Sequence, residues 1–186
     1  MIGYAFCGSF CTLSASLAQL RSLVESGEQV QPIFSEAVRN TDTRFWRAAD
    51  FYREVSEACG REPISSIVDA EPLGPARPLE AMIIAPCTGN TLAKMAAGIT
   101  DSTVTMAAKA HLRCSRPLVL ALASNDAMSA NLANIAALLS RKAVYLLPMK
   151  QDDPKKKPHS LVADFSLLPS ALEAARRGEQ LRPLFL

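Results

Sequence analysis

The sequence predicts an α/β fold: a parallel sheet with helices packed on both faces. Three observations lead there. Short apolar runs alternate along the chain with longer stretches of helical periodicity. The runs LEAMIIA (79–85) and PLVLALA (117–123) are nearly continuous in apolar residues, as in strands buried on both faces. Gly or Pro punctuates the junctions.

Each element follows from local residues. Ile2 to Cys7 reads as a buried strand ending in a tight turn at Gly8-Ser9. Leu13, Leu17, Leu20 and Val24 recur at helical spacing, with Gly27 as the C-terminal cap. Gln29 to Phe34 is a second strand. Phe45, Ala49, Tyr52, Val55 and Cys59 mark a second helix, stopped at Gly60. Leu79 to Ala85 is a strand closed by Pro86. Thr88 to Ala97 and Val104 to Arg113 read as helices, Pro117 to Ala123 as the most apolar strand, Asn131 to Leu139 as a helix and Ala143 to Leu147 as a last strand. Two Pro-rich loops, at 71–78 and 151–158, interrupt the series. The tail beyond about residue 164 is too short for an independent core, so residues 1–186 are expected to form a single domain.

Composition narrows the function. The 186 residues are 49% hydrophobic and 20% charged, a globular balance. Lys and Arg number 20 against 18 Asp and Glu, too even for a nucleic-acid binder. Aromatics are 6%, too few for base-stacking platforms. The five cysteines (Cys7, Cys11, Cys59, Cys87, Cys114) form no Cys-x-x-Cys, and only His111 and His159 could join them as zinc ligands. Neither a disulfide framework nor a metal site is expected, and a reducing cytoplasmic compartment fits. Residues 2–20 carry no formal charge, but Gly3, Gly8, Ser9, Thr12, Ser14, Ser16 and Gln19 break the apolar run and no basic residue precedes it. A targeting segment or membrane anchor is therefore not expected.

In a parallel sheet, ligands bind beyond the carboxyl ends of the strands. The loops there hold small residues and hydroxyls. Gly8 and Ser9 suit either a tight turn or an anion site at a helix N-terminus; neither a GxGxxG nor a Walker pattern is present. In Cys87-Thr88-Gly89-Asn90-Thr91, Thr88 and Thr91 suit a phosphate or a helix cap, Asn90 suits a polar ring edge, and Gly89 permits close approach. Cys87 is either a thiolate at a helix N-terminus or a buried filler. Ser124-Asn125-Asp126 reads as an ordinary turn or cap. Lys155, Lys156 and Lys157 form either a solvated charge run or a cationic lid. His111 reads as structural. His159, in the lysine loop, is placed to titrate near a ligand.

Four stretches carry a resemblance. Pro86 to Lys94 (PCTGNTLAK) with Ala97 to Asp101 (AGITD) resembles the homo-oligomeric flavin-containing cysteine decarboxylase family. Gly8 to Cys11, Asn40 to Phe45, and the segment from Asp152 to Ala163 narrow the likeness to the branch acting in dipicolinate formation. The resemblance implies a three-layer, flavodoxin-like, Rossmann-type doubly wound sheet. It also implies assembly as a trimer or dodecamer, with flavin mononucleotide (FMN) between neighbouring subunits. By position, Gly8, Ser9 and Phe10 match the first phosphate loop and Ser35 the serine after the second strand. Cys87, Thr88, Gly89, Asn90 and Thr91 match the flavin loop, and Thr105 a hydroxyl near the phosphate. Asn125 and Met128 match the substrate motif PxMNxxM. Asn125 and Asn90 are the expected catalytic positions; Asn125, Met128, Lys156, Lys157 and Arg44 are expected to meet a small dicarboxylate substrate. Leu122 and Ser124 replace that motif's Pro and first Met, and the loop Val68 to Gly74 lacks the family's catalytic His. Both departures argue against cysteine decarboxylation. The implied activity is oxidation of a dihydro- or hydroxytetrahydro-dipicolinate to dipicolinate, together with a separate nicotinamide-type subunit, in the mother cell of a sporulating bacterium. The alternatives are a decarboxylase of the same family and a non-catalytic substrate-binding subunit.

Overall fold

Five of the apolar runs become parallel strands in the computed structural model, which describes all residues from Met1 to Leu186. They are β1 (Ile2–Phe6), β2 (Val30–Phe34), β3 (Met82–Cys87), β4 (Leu118–Ser124) and β5 (Val144–Leu146). Their spatial order is β2-β1-β3-β4-β5. The winding reverses between β1 and β3, so this doubly wound sheet has its switch point there.

Eight helices flank the sheet: α1 (Leu13–Glu25), α2 (Glu36–Asn40), α3 (Ala48–Cys59), α4 (Ile67–Ala70), α5 (Gly89–Ala97), α6 (Thr103–Leu112), α7 (Leu132–Leu139) and α8 (Leu168–Arg176). Alternation along the strands sends side chains to two cores. Tyr4, Phe6, Phe34, Ile83 and Val119 join Leu17 and Leu20 of α1, Phe51 of α3 and Leu172 of α8. Ala5, Cys7, Ile84, Cys87 and Leu120 join Leu92 of α5, Val104 of α6 and Ile135 of α7. The first core is aromatic: Phe6 meets Phe34 and Phe51 edge-on, with ring centroids 5.6 and 5.2 Å apart. The second is built from aliphatic and sulfur side chains, which let helices lie close.

Three sequence expectations change. The second helix begins at Ala48, not Phe45, which is left 45% exposed; Asp42 holds the start by accepting from the Ala48 amide at 2.8 Å. The sheet is not wholly parallel. After β5 come β6 (Met149–Lys150) and β7 (Leu161–Ala163), and β7 runs antiparallel to the end of β4, pairing Ala123 with Val162 and Ser124 with Leu161. These strands are too short to show a pattern, but they carry the lysine loop back beside β4. Finally, the tail forms α8, whose Leu168, Ala171, Leu172 and Ala175 are buried. That stripe has helical spacing and is legible in the sequence.

Candidate functional site

The strand carboxyl ends surround a cavity of about 520 Å³, within the range of small-molecule sites. Five separate segments meet in it. Gly8, Ser9, Phe10, Cys11 and Thr12 come from the turn after β1, and Arg44 and Phe45 from the loop before α3. Thr88 and Gly89 follow β3, Ser124, Asn125 and Asp126 lie at the end of β4, and Asp152, Lys157 and Val162 line the remaining side. Of the expected site residues, Gly8, Ser9, Phe10, Arg44, Thr88, Gly89, Asn125 and Lys157 are therefore brought together.

The others lie elsewhere. The Ser35 side chain caps α2, accepting from the Val38 amide at 3.4 Å. Cys87 is fully buried, and burial pushes its thiol well above the usual range; it is core filler, with no thiolate for a ligand. Thr91 is buried too, with its hydroxyl 3.3 Å from the Cys7 sulfur and 3.1 Å from the Thr88 hydroxyl. Asn90 is exposed on α5 outside the cavity lining. Thr105 completes a capping box with Ser102 at the start of α6 and borders a different cavity. Met128 lines a third cavity beside β6. Lys156 is exposed, with its backbone amide bonded to the Asp153 carboxylate at 3.1 Å.

Gly89 lines the cavity and also leaves room inside the protein. A Cβ there would run into Ser124 Oγ and lie 2.6 Å from Asn131 Nδ2 and 2.9 Å from Asp126 Oδ1. The glycine makes room for the protein's own polar groups. Asp126 Oδ1 accepts from the Ser124 hydroxyl and, at 2.9 Å, from Asn131 Nδ2. These bonds, the Ser124 one foremost, hold the Asp126 carboxyl below the ordinary carboxylate range. An Asp in a turn is common, so the sequence alone does not single out Asp126.

The cations differ in availability. Lys157 pairs with Asp152 at 2.7 Å, and that carboxylate raises the lysine pKa while its own falls. The lysine loop thus neutralises part of its own charge. Arg44 has no carboxylate within ion-pair distance; its guanidinium lies 4.8 Å from the Phe45 ring centroid. Phe10 and Phe45 offer aromatic surface, and Ser9, Thr12 and Thr88 offer hydroxyls. The Thr88 side chain already caps α5, accepting from the Thr91 amide at 3.3 Å. Cations, hydroxyls and aromatic rings share this one cavity with Ser124 and Asp126, a set that fits a phosphate-bearing ring system such as FMN.

Comparison with known proteins agrees. A model of the flavoprotein family matches residues 2–164. The B subunit of dipicolinate synthase from Bacillus subtilis is 45% identical over 185 residues, covering 100% of this chain and 92% of that protein. The crystal structure of the dipicolinate synthase B subunit from Bacillus halodurans superposes with a TM-score of 0.91 at 41% identity, covering 100% of this chain and 95% of that one. The FMN-dependent cysteine decarboxylase SpaF shares the fold at 22% identity, with a TM-score of 0.68 over 94% of this chain and 95% of that one. No helix here is long and apolar enough to cross a membrane. The chain belongs to the flavoprotein family.

Proposed function

We propose that the chain is a flavin-binding subunit of a dipicolinate-forming enzyme, acting with the A subunit of dipicolinate synthase. Its substrate is a cyclic dicarboxylate, a dihydro- or hydroxytetrahydro-dipicolinate. The observation that carries this reading is the meeting of Arg44 and Lys157 with the Gly8–Phe10 turn in one cavity at the sheet's switch point. The likeness to dipicolinate synthase B subunits over the whole chain supports the partner and the substrate class.

The turn after β1 leads through a single 3-10 turn, Phe10–Thr12, into α1, and helix N-terminal amides favour an anion. Gly8, Ser9, Phe10 and Thr88 would hold the FMN phosphate and ribityl chain, and Phe10 or Phe45 would cover the ring. When bound, FMN supplies a two-electron acceptor for dehydrogenation of the substrate ring. Arg44 binds one substrate carboxylate, and Lys157 binds the other when it leaves Asp152. Asn125, exposed at the cavity wall with its side-chain oxygen 3.5 Å from the Ser160 hydroxyl, orients a carboxylate by its amide N–H. The lysine loop limits water entry from above β4. Assembly as a homo-oligomer, in the cytoplasm of a sporulating mother cell, belongs to the same reading.

The test is direct. The purified chain should show flavin absorbance, or gain it on FMN addition. It should produce a pyridine chromophore only when substrate and the A subunit of the synthase are both present. Dipicolinate formation at the same rate by the A subunit without this chain would contradict the proposal.

A further inference from the structure

The polar triad beneath the cavity has a fixed direction. Asn134 Nδ2 donates to Asn131 Oδ1 at 2.9 Å, which orients the Asn131 amide. Asn131 Nδ2 therefore faces Asp126 and donates to Oδ1, also at 2.9 Å. Asn131 is 5% exposed, so this orientation is held by packing. The Asp126 carboxylate stays ionised at neutral pH and can only accept. Ser124 has a single hydroxyl proton, and it is given to the same Oδ1. What Ser124 retains is lone pairs, and Ser124 and Asp126 both line the cavity.

We propose that Ser124, oriented by Asp126, is an acceptor-only group that selects a ring N–H of the bound heterocycle, a deepening that rests on the flavin and dicarboxylate reading of the cavity. A ligand presenting a ring lone pair there meets an acceptor it cannot satisfy; one presenting N–H gains a hydrogen bond. Two sources offer that chemistry: the imide N–H of a flavin and the ring N–H of a partly reduced dicarboxylate in its amine or enamine form, for which a saturated ring stands in as the probe. Asp126 is a positioning residue, because it acts through Ser124. Gly89 leaves the space that Ser124 Oγ and Asp126 Oδ1 occupy.

The experiment is calorimetric titration of the full-length chain with two probe pairs: FMN against N3-methyl-FMN, and piperidine-2,6-dicarboxylate against pyridine-2,6-dicarboxylate. In the unaltered protein the N–H member of at least one pair binds about tenfold more tightly, as expected for one satisfied hydrogen bond at a cavity wall. The pair that responds identifies the source. Ser124→Ala should bring the ratio to within about twofold, and so should Asp126→Ala, which leaves Ser124 in place with its proton free. Asp126→Asn restores the ratio, because the amide oxygen accepts the same two donors. A purely steric effect would survive Asp126→Ala, and that outcome overturns the proposal. Binding of FMN and dicarboxylate with no discrimination within either pair also overturns it, while the function reading stands. No binding of any probe overturns both.

Discussion

Two cavities of similar size lie at opposite ends of α5. One, about 520 Å³, lies at the strand carboxyl ends by the α5 N-terminus. The other, about 410 Å³, lies beyond its C-terminus, against α6 and Arg141. Both hold cations: Arg44 and Lys157 in the first, Lys109, Arg113 and Arg141 in the second. The clearest difference is between Arg141 and Arg44, and in what each already serves. Arg141 donates to the Met95 and Ala96 carbonyls at 3.0 and 2.7 Å, so it caps the negative end of α5. In the first cavity the helix ends are positive, and Arg44 has no anion. Arg141 is a cation that the backbone already uses, and Arg44 is one that it does not.

Four experiments test that contrast. The largest effect is expected from Gly89→Ala. Its methyl group would displace Ser124, Asn131 and Asp126, an overpacking that costs on the order of 1–3 kcal/mol. FMN binding, measured by fluorescence titration, should weaken by about tenfold or more. Next, Arg44→Ala should weaken pyridine-2,6-dicarboxylate binding by about tenfold to a hundredfold, the scale of a hydrogen bond to a charged group. The loss should shrink as salt is added. An unchanged calorimetric Kd would remove Arg44 from the site.

Arg141→Ala should do the reverse. The Ala96 carbonyl loses its donor while the Met95 carbonyl keeps the Gly98 amide at 3.1 Å, stability falls by about 1 kcal/mol, and the midpoint of thermal unfolding drops by a few degrees, about 2–4 °C for a chain of this size. FMN affinity should not change. The smallest effect is a pH dependence on the α6 side. His111 is buried with Nε2 2.9 Å from the Pro117 carbonyl and no partner for Nδ1, and burial lowers its pKa below the usual value. The unfolded chain then binds the proton more readily, so this residue removes stability as pH falls through the ordinary histidine range near about 6.5. Unfolding by urea at pH 7.5 and 5.5 should show that loss, and His111→Gln should reduce it.

The sheet is legible in the sequence because its central strands are buried on both faces and their apolar runs have no rival reading. The strands that steer the site are not: β6 and β7 span only Met149–Lys150 and Leu161–Ala163, too short for periodicity to register. Among site residues, those next to a strand end, such as Gly8, Ser9 and Thr88, can be placed from topology alone. Thr105 and Met128 cannot, because their direction depends on helix rotation and on a turn. Cys87 cannot be placed either: β3 is buried on both faces, and past a register shift Cys87 shares a core with Ile84. The Asp126 triad is hidden because its meaning lies in what Gly89 leaves vacant.

In the function proposed, the cavity at the strand carboxyl ends holds FMN by the turn after β1. Crystals of the FMN-loaded chain test it most directly. Phosphate density is expected against Gly8, Ser9 and Phe10, with the ring reaching toward Ser124. Flavin density lodged between α5 and α6, beside Lys109 and Arg113, would contradict it.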